Sequence, residues 1–267
     1  MSARLLTPFR RRAMGNRAAP EVNARAVTVA VVSDVHANTV ALEAVLSELV
    51  PLEPDLVVFG GDLTWGPEPE ETLALVAGLG TQTIFVRGNA DRMLLEEGDD
   101  PTGRKPWLLE HHSTAALAHL ATFVEQATVE VAGLGRVRFC HGSPRSDEEA
   151  VTPQTPEQRV RAFMEGITEA VLVTAHTHLQ FDRRVAGIRS VNVGSVGVAY
   201  GVDPGTACWG ILGPDVEMRR TPFSVEKAAA RYRASGDPAA ERMIGMLESP
   251  PSVAEIVEYG EQRVFVG

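Results

Sequence analysis

Seven residues able to ligate a cation recur in this chain inside short polar clusters. Asp34 and His36 lie in Ser33-Asp34-Val35-His36, and Asp62 follows Gly60-Gly61. Asn89 lies in Gly88-Asn89-Ala90-Asp91, His141 in His141-Gly142-Ser143-Pro144, and His176 and His178 in Ala175-His176-Thr177-His178. Asp34 and His36 are two apart, as are His176 and His178, so an extended backbone points each pair to one face. The set holds two carboxylates, one amide and four imidazoles, with no thiolate. Such nitrogen and oxygen ligation suits Mn, Fe, Zn, Co or Ni rather than a soft-metal site. Seven ligands exceed one tetrahedral site and suffice for two metals if one carboxylate bridges. Two metals roughly 3.5–4 Å apart can clamp the attacking and leaving oxygens of an in-line displacement at phosphorus. Glycines beside Asp62, Asn89, His141 and Ser195 let backbone and substrate come close.

Each cluster follows an apolar stretch. Residues 26–33 are β-branched and nearly continuous, which reads as a strand buried on both faces. Residues 55–60, 81–86, 137–140 and 169–174 read as further strands, each ending in one of the clusters. In open α/β sheets, sites form outside the carboxyl ends of the strands. Val40, Leu42, Val45, Leu46 and Leu49 make a helical stripe over 38–49. Pro67 and Pro69 open a second helix, which Gly80 ends. This alternation argues for parallel pairing with right-handed crossovers. Residues 92–127 break it: an acidic, Gly/Pro-containing loop precedes one helix expected from Trp107 to Glu125, an insertion over the sheet edge. Beyond it the pattern predicts strands over 129–131 and 188–193, a helix over 156–163, and a hairpin of 207–212 with 216–220. A helix over 225–234 is capped by Ser224 and stopped by Gly236, and a helical stretch over 238–247 precedes a mixed tail. One domain over 26–267, with a C-terminal extension over 199–267, fits this order.

Composition bounds the function. At 44% apolar and 22% charged residues, the chain is neither a disordered segment nor a coiled coil. Its two cysteines, Cys140 and Cys208, exclude a disulfide framework and fit a reducing cytoplasm. Arg4, Arg10, Arg11, Arg12, Arg17 and Arg25 crowd the N-terminus, so the remainder is more acidic than the net charge of −10. An acidic body repels a phosphate backbone, and generic nucleic-acid binding is not expected. Residues 13–25 lack the apolar stretch of an export signal, so residues 1–25 read as a disordered basic tail, with Met14 as an alternative start. No apolar run reaches the roughly 18 residues of a membrane span.

Taken together and in order, Asp34-x-His36, Gly61-Asp62, Gly88-Asn89, His141 after a strand and His176-x-His178 resemble the calcineurin-like metallophosphoesterase superfamily. Gly-Asn-Ala-Asp, His-Gly-Ser-Pro and the segment from Asn192 to Gly197 resemble its small bacterial phosphodiesterase branch, and the likeness runs from about residue 28 to 198. The resemblance implies a four-layer α/β/β/α sandwich of two mixed sheets, with the metal site at the carboxyl ends of the strands. It implies two divalent ions, Mn favoured: Asp34, His36 and His178 on the first, Asn89, His141 and His176 on the second, and Asp62 bridging. It further implies that a hydroxide between the metals attacks a small phosphoester, a nucleotide being one candidate, with Asn89 stabilising the phosphoryl oxygens. Many relatives carry a histidine after the asparagine to protonate the leaving group. Here that position is Ala90, so diesters with acidic leaving groups are expected over alkyl monoesters.

Other residues admit two readings. Asp91 orients the loop or a water, or is a turn residue. His112 is the first choice for a substitute acid, sharing a helix face with His119; His111 is the weaker choice, and all three also suit a solvated helix. Arg87, Arg92 and Arg145 flank the motifs and suit either substrate phosphate or a salt-bridged rim. Asn38 is placed for substrate binding or for capping its helix. Trp65 and Trp107 suit base stacking or packing. Competing functions are a nuclease and a non-catalytic scaffold of the same fold. The C-terminal extension either caps the sheets or pairs subunits in a homo-oligomer.

Overall fold

The computed structural model describes residues 24–98, 100 and 103–262. In chain order these form β1 (Ala24–Ala26), β2 (Val29–Val32), α1 (Thr39–Leu49), β3 (Leu56–Phe59), α2 (Pro69–Ala77), β4 (Thr83–Phe85) and α3 (Asn89–Leu95). There follow α4 (Lys105–His111), α5 (Thr114–Leu120), β5 (Gln126–Val131), β6 (Gly135–Cys140), α6 (Glu157–Phe163), β7 (Val171–Thr174), β8 (Gln180–Val185) and β9 (Ile188–Val193). The C-terminal part holds β10 (Thr206–Leu212), β11 (Val216–Pro222), α7 (Val225–Ser235), α8 (Ala240–Glu248) and α9 (Val253–Gln262).

The strands build two mixed sheets, ordered β11-β10-β2-β3-β4 and β1-β5-β6-β7-β9-β8. β2, β3 and β4 pair in parallel, with Val29 opposite Leu56 and Val57 opposite Thr83, as the strand–helix alternation requires. Side chains alternate between the layers. Val29, Val31, Leu56 and Val58 meet Val129, Val137, Phe139, Val171 and Val191 between the sheets. Ala30, Val32, Val57 and Phe59 pack outward on Leu42, Val45 and Leu49 of α1 and Val76 of α2. On the far side, Cys140 and Leu172 pack against Val160 and Phe163 of α6. The result is the expected α/β/β/α sandwich. Burying one such aliphatic side chain contributes roughly 1.5–3 kcal/mol, so packing between the layers holds the frame to which the metal-motif loops are attached.

Five features differ from the sequence reading, one being that Asn89–Leu95 forms α3 where the sequence predicts only a polar cluster and a loop. The strand expected over 26–33 is two strands in different sheets. The chain crosses over at Val27, where the Val27 and Thr28 amides both donate to Asp55 Oδ2, at 2.9 and 2.8 Å. Ala24 and Arg25 therefore belong to β1 rather than to a tail; the rest of the expected tail, and Met14, lie outside the described residues. The helix expected over 107–125 is interrupted, because Ser113 turns to an extended backbone and caps α5 through the Ala116 amide. β8 is an unpredicted edge strand, and α9 an unpredicted helix in the stretch read as a mixed tail.

Candidate metal centre

All five clusters sit just past strand ends, and the sheets bring them together. The loops after β2 and β3 run side by side. The Asp34 amide donates to the Gly61 carbonyl, His36 to Asp62 and Ala37 to Leu63, each at 3.0 Å. This extends the parallel ladder into the site. Five of the expected ligands have left-handed backbones, with φ of 50° at Asp34, 48° at His36, 53° at Asp62, 64° at His176 and 58° at His178. Each such residue costs roughly 1–2 kcal/mol over the right-handed form. Strain of this kind clusters at functional sites.

The imidazoles are oriented from behind. His178 Nδ1–H donates to the Val198 carbonyl at 2.7 Å, and His141 Nδ1–H donates to the Gly60 carbonyl at 2.8 Å. Neutral rings held this way present a lone pair on Nε2. That of His178 lies 3.2 Å from His36 Nε2 and 3.3 Å from Asp34 Oδ1. That of His141 lies 3.0 Å from Asn89 Oδ1, 3.5 Å from Asp62 Oδ2 and 4.0 Å from Asp34 Oδ1. Asp62 Oδ2 is also 3.8 Å from His36 Nε2. With these rings neutral, acceptors face acceptors, and the fully buried Asp34 carboxylate has no donor on either oxygen. A buried carboxylate left so is costly. Cations are what this donor set fits, and imidazoles tethered through Nδ1 to a carbonyl are the usual arrangement of metal-bound histidine.

Ligand atoms of Asp34, His36 and His178 lie within 4.8 Å of one another, as do those of Asp34, Asp62 and His141. Asp34 is common to both groups, while Asp62 lies near histidines of each. His176 stands at the edge, its ring edge-on to His141 at 5.2 Å between centroids. Charges follow this geometry. Burial opposes charge on His141, but Asp62 and Asp34 outweigh it and hold its pKa up at about 10. Burial likewise opposes charge on His178, and Asp34 again prevails, raising it. In His36 and His176 burial wins, pushing both down to about 4.

The remaining candidates are engaged within the fold. Asp91 accepts from the Asp62 amide at 2.8 Å, the Gly88 amide at 2.9 Å and the Leu63 amide at 3.1 Å, so it orients the Asp62 loop. Asn38 both caps α1, accepting from the Ala41 amide at 3.2 Å, and donates to the Gly197 carbonyl at 2.8 Å. Arg87 pairs with Glu125 at 3.0 Å, Arg92 with Asp147 at 2.6 Å and Glu148 at 2.7 Å, and Arg145 with the buried Glu149 at 2.5 Å. His112 has both ring nitrogens engaged, by the Leu108 carbonyl and the Thr64 hydroxyl. His111 stacks on Trp107, and His119 packs edge-on to Phe85 and Phe123. Trp65 is core. Sequence reasoning missed Tyr200, whose ring stacks on His178 at 4.7 Å; its contact depends on a fold 22 residues away in sequence.

Residues 27–211 match the calcineurin-like phosphoesterase superfamily domain. A metallophosphoesterase from Sphaerobacter thermophilus has a similar structure, with a TM-score of 0.67 and 26% identity over 82% of this chain and 98% of its own. A protein of Pyrococcus horikoshii shares the fold, with a TM-score of 0.67 at 18% identity over 82% of this chain and 97% of its own. No curated protein matches the sequence.

Proposed function

The chain belongs to the calcineurin-like phosphoesterase superfamily, and on that premise we propose that it hydrolyses small phosphodiesters with two divalent ions, Mn²⁺ favoured. The observation that carries this reading is the fully buried Asp34 carboxylate, faced by the Nε2 atoms of His178 and His141 from two different loops. Asp34, His36 and His178 would hold the first ion, and Asn89, His141 and His176 the second, with Asp62 between them. Two such ions polarise phosphoryl oxygens and lower the pKa of water.

The chain's own groups supply the rest. Asn89, the first residue of α3, has its side-chain oxygen 3.0 Å from His141 Nε2; its amide is proposed to donate to a phosphoryl oxygen beside the second ion. Asp91 keeps the Asp62 loop in place. Gly88 permits close approach, since a Cβ there would fall 2.1 Å from Asp62 Oδ1. Ala90 is 3% exposed and its methyl belongs to the apolar core, so this position holds no proton. Burial and the neighbouring Asp62 lift the Asp91 pKa to about 7, but both its oxygens already accept amide hydrogens of the ligand loops. A positioned acid is commonly worth 10²–10⁴-fold. Substrates whose leaving group departs unaided, such as aryl or nucleotidyl diesters, are therefore favoured over alkyl monoesters.

With Mn²⁺, bis-p-nitrophenyl phosphate should be cleaved faster than p-nitrophenyl phosphate, and chelation should abolish both activities. Across a series of diesters the rate should fall steeply as leaving-group pKa rises. A rate indifferent to that pKa would mean that an acid acts here after all. No metal-dependent turnover of any diester would remove the proposal.

A further inference from the structure

Two buried side chains of the insertion reach the loop that carries Asp62, and the chemistry proposed above uses neither. Arg104, 1% exposed, precedes α4. Its Nε donates to Asp237 Oδ1 at 2.8 Å and its Nη2 to Asp237 Oδ2, while Nη1 donates to the Trp65 carbonyl at 3.3 Å. His112, buried at the end of α4, donates from Nδ1 to the Leu108 carbonyl at 2.7 Å, which leaves Nε2 to accept from the Thr64 hydroxyl at 2.9 Å. Thr64 and Trp65 are thus each held from the insertion, and Asp237, between α7 and α8, anchors Arg104 from the C-terminal extension. The opposite side of the same loop lies on the first metal motif. His36 and Ala37 donate to the Asp62 and Leu63 carbonyls, and a Cβ on Gly66 would fall 1.7 Å from the His36 carbonyl oxygen.

We propose that Arg104, fixed by Asp237, and His112 are positioning residues for the metal centre, clamping segment 62–66 against the His36 loop. The proposal rests on the two-metal reading of the site. Asp62 and His36 both hold left-handed backbones, which persist only when the surroundings over-determine them. Arg104 is suited to that task because its rigid guanidinium fork binds a carboxylate through two nitrogens while a third reaches the loop. A buried ion pair is weak evidence for stability by itself. Its placement behind the ligand loop gives it a geometric purpose.

The test uses Thr64→Val, His112→Leu, His112→Gln and Arg104→Lys in the full chain. Mn²⁺ binding is followed by calorimetry, and amide exchange by mass spectrometry on the metal-free protein. Thr64→Val, His112→Leu and Arg104→Lys should weaken Mn²⁺ binding by about 10–100-fold and speed exchange over residues 62–66. His112→Gln, whose amide can still reach Thr64, should restore affinity to within about threefold of wild type. Lower melting temperatures with unchanged Mn²⁺ affinity and unchanged exchange over 62–66 would overturn the proposal. Should His112→Leu and Arg104→Lys fail to fold, the near-isosteric Thr64→Val carries the same comparison. Should wild type take up no Mn²⁺, the two-metal reading fails, and the exchange data alone decide whether the clamp exists.

Discussion

Without a cation, a proton must lie between His141 Nε2 and the oxygens it faces, and the same holds for His178 and Asp34. Both histidines have pKa values raised by those carboxylates, His141 to about 10. His141 is therefore protonated in the metal-free protein near neutrality, and His178 holds a proton more readily than a free imidazole, whereas metal binding requires the neutral ring. Loading should release protons, and apparent affinity should climb as pH rises from 6 to 8. Calorimetry in buffers of different ionisation enthalpy measures this release; an affinity flat across that range would contradict the proton-for-metal exchange. At this scale the seven residues of the polar clusters stand out in the sequence, since each sits just beyond an apolar run. The arginines were not. Arg92 sits three residues from Asn89 in sequence, yet its charge is taken up by Asp147 and Glu148, more than fifty positions away. Only packing determines whether a guanidinium is available to a substrate.

The loops between elements depend on single acceptors. Asp91 Oδ2 serves the Asp62 and Gly88 amides, and Oδ1 serves Leu63. Asp91→Asn would turn an NH₂ toward at least one of those donors, leaving it buried and unsatisfied. The expected loss is about 1–3 kcal/mol of unfolding free energy, accompanied by weaker Mn²⁺ uptake. Urea denaturation with and without metal would measure both, and an unchanged midpoint would sink this role for Asp91. Element type was readable wherever hydrophobic periodicity was strong, as in β2, β3, α1 and β7. It was not readable in β8, whose Asp182, Arg183 and Arg184 carry the polarity of an edge strand. Nor was it readable at Ser113, where a cap interrupts an otherwise continuous helical pattern.

At the scale of the whole molecule, the described fold rests on apolar layers between its sheets and helices. The inter-sheet core draws on both sheets, with Val29, Val129, Val137 and Val191 all fully buried. Chelation should therefore leave a folded, less stable protein. With Mn²⁺ at a hundred times its dissociation constant, one site adds about 2.7 kcal/mol, which for a chain of this size should raise the melting temperature on the order of 5 °C. Differential scanning fluorimetry with Mn²⁺ and then with chelator reads this shift; unfolding on chelation alone would show that the cations, and not the layers, hold the fold. No helix among the described residues is long and apolar enough to cross a membrane.

Residue types and their spacing determined the polar clusters, their order and the strands before them, because side-chain periodicity and turn chemistry act over a few neighbouring residues. The tertiary structure decided that Asp34 is shared between two candidate ligand groups, that His112 faces Thr64, and that Arg104 finds Asp237 across 133 positions of chain. Those outcomes depend on which surfaces the two sheets and the added helices bury against one another, and a contact of that range leaves no local pattern in the chain.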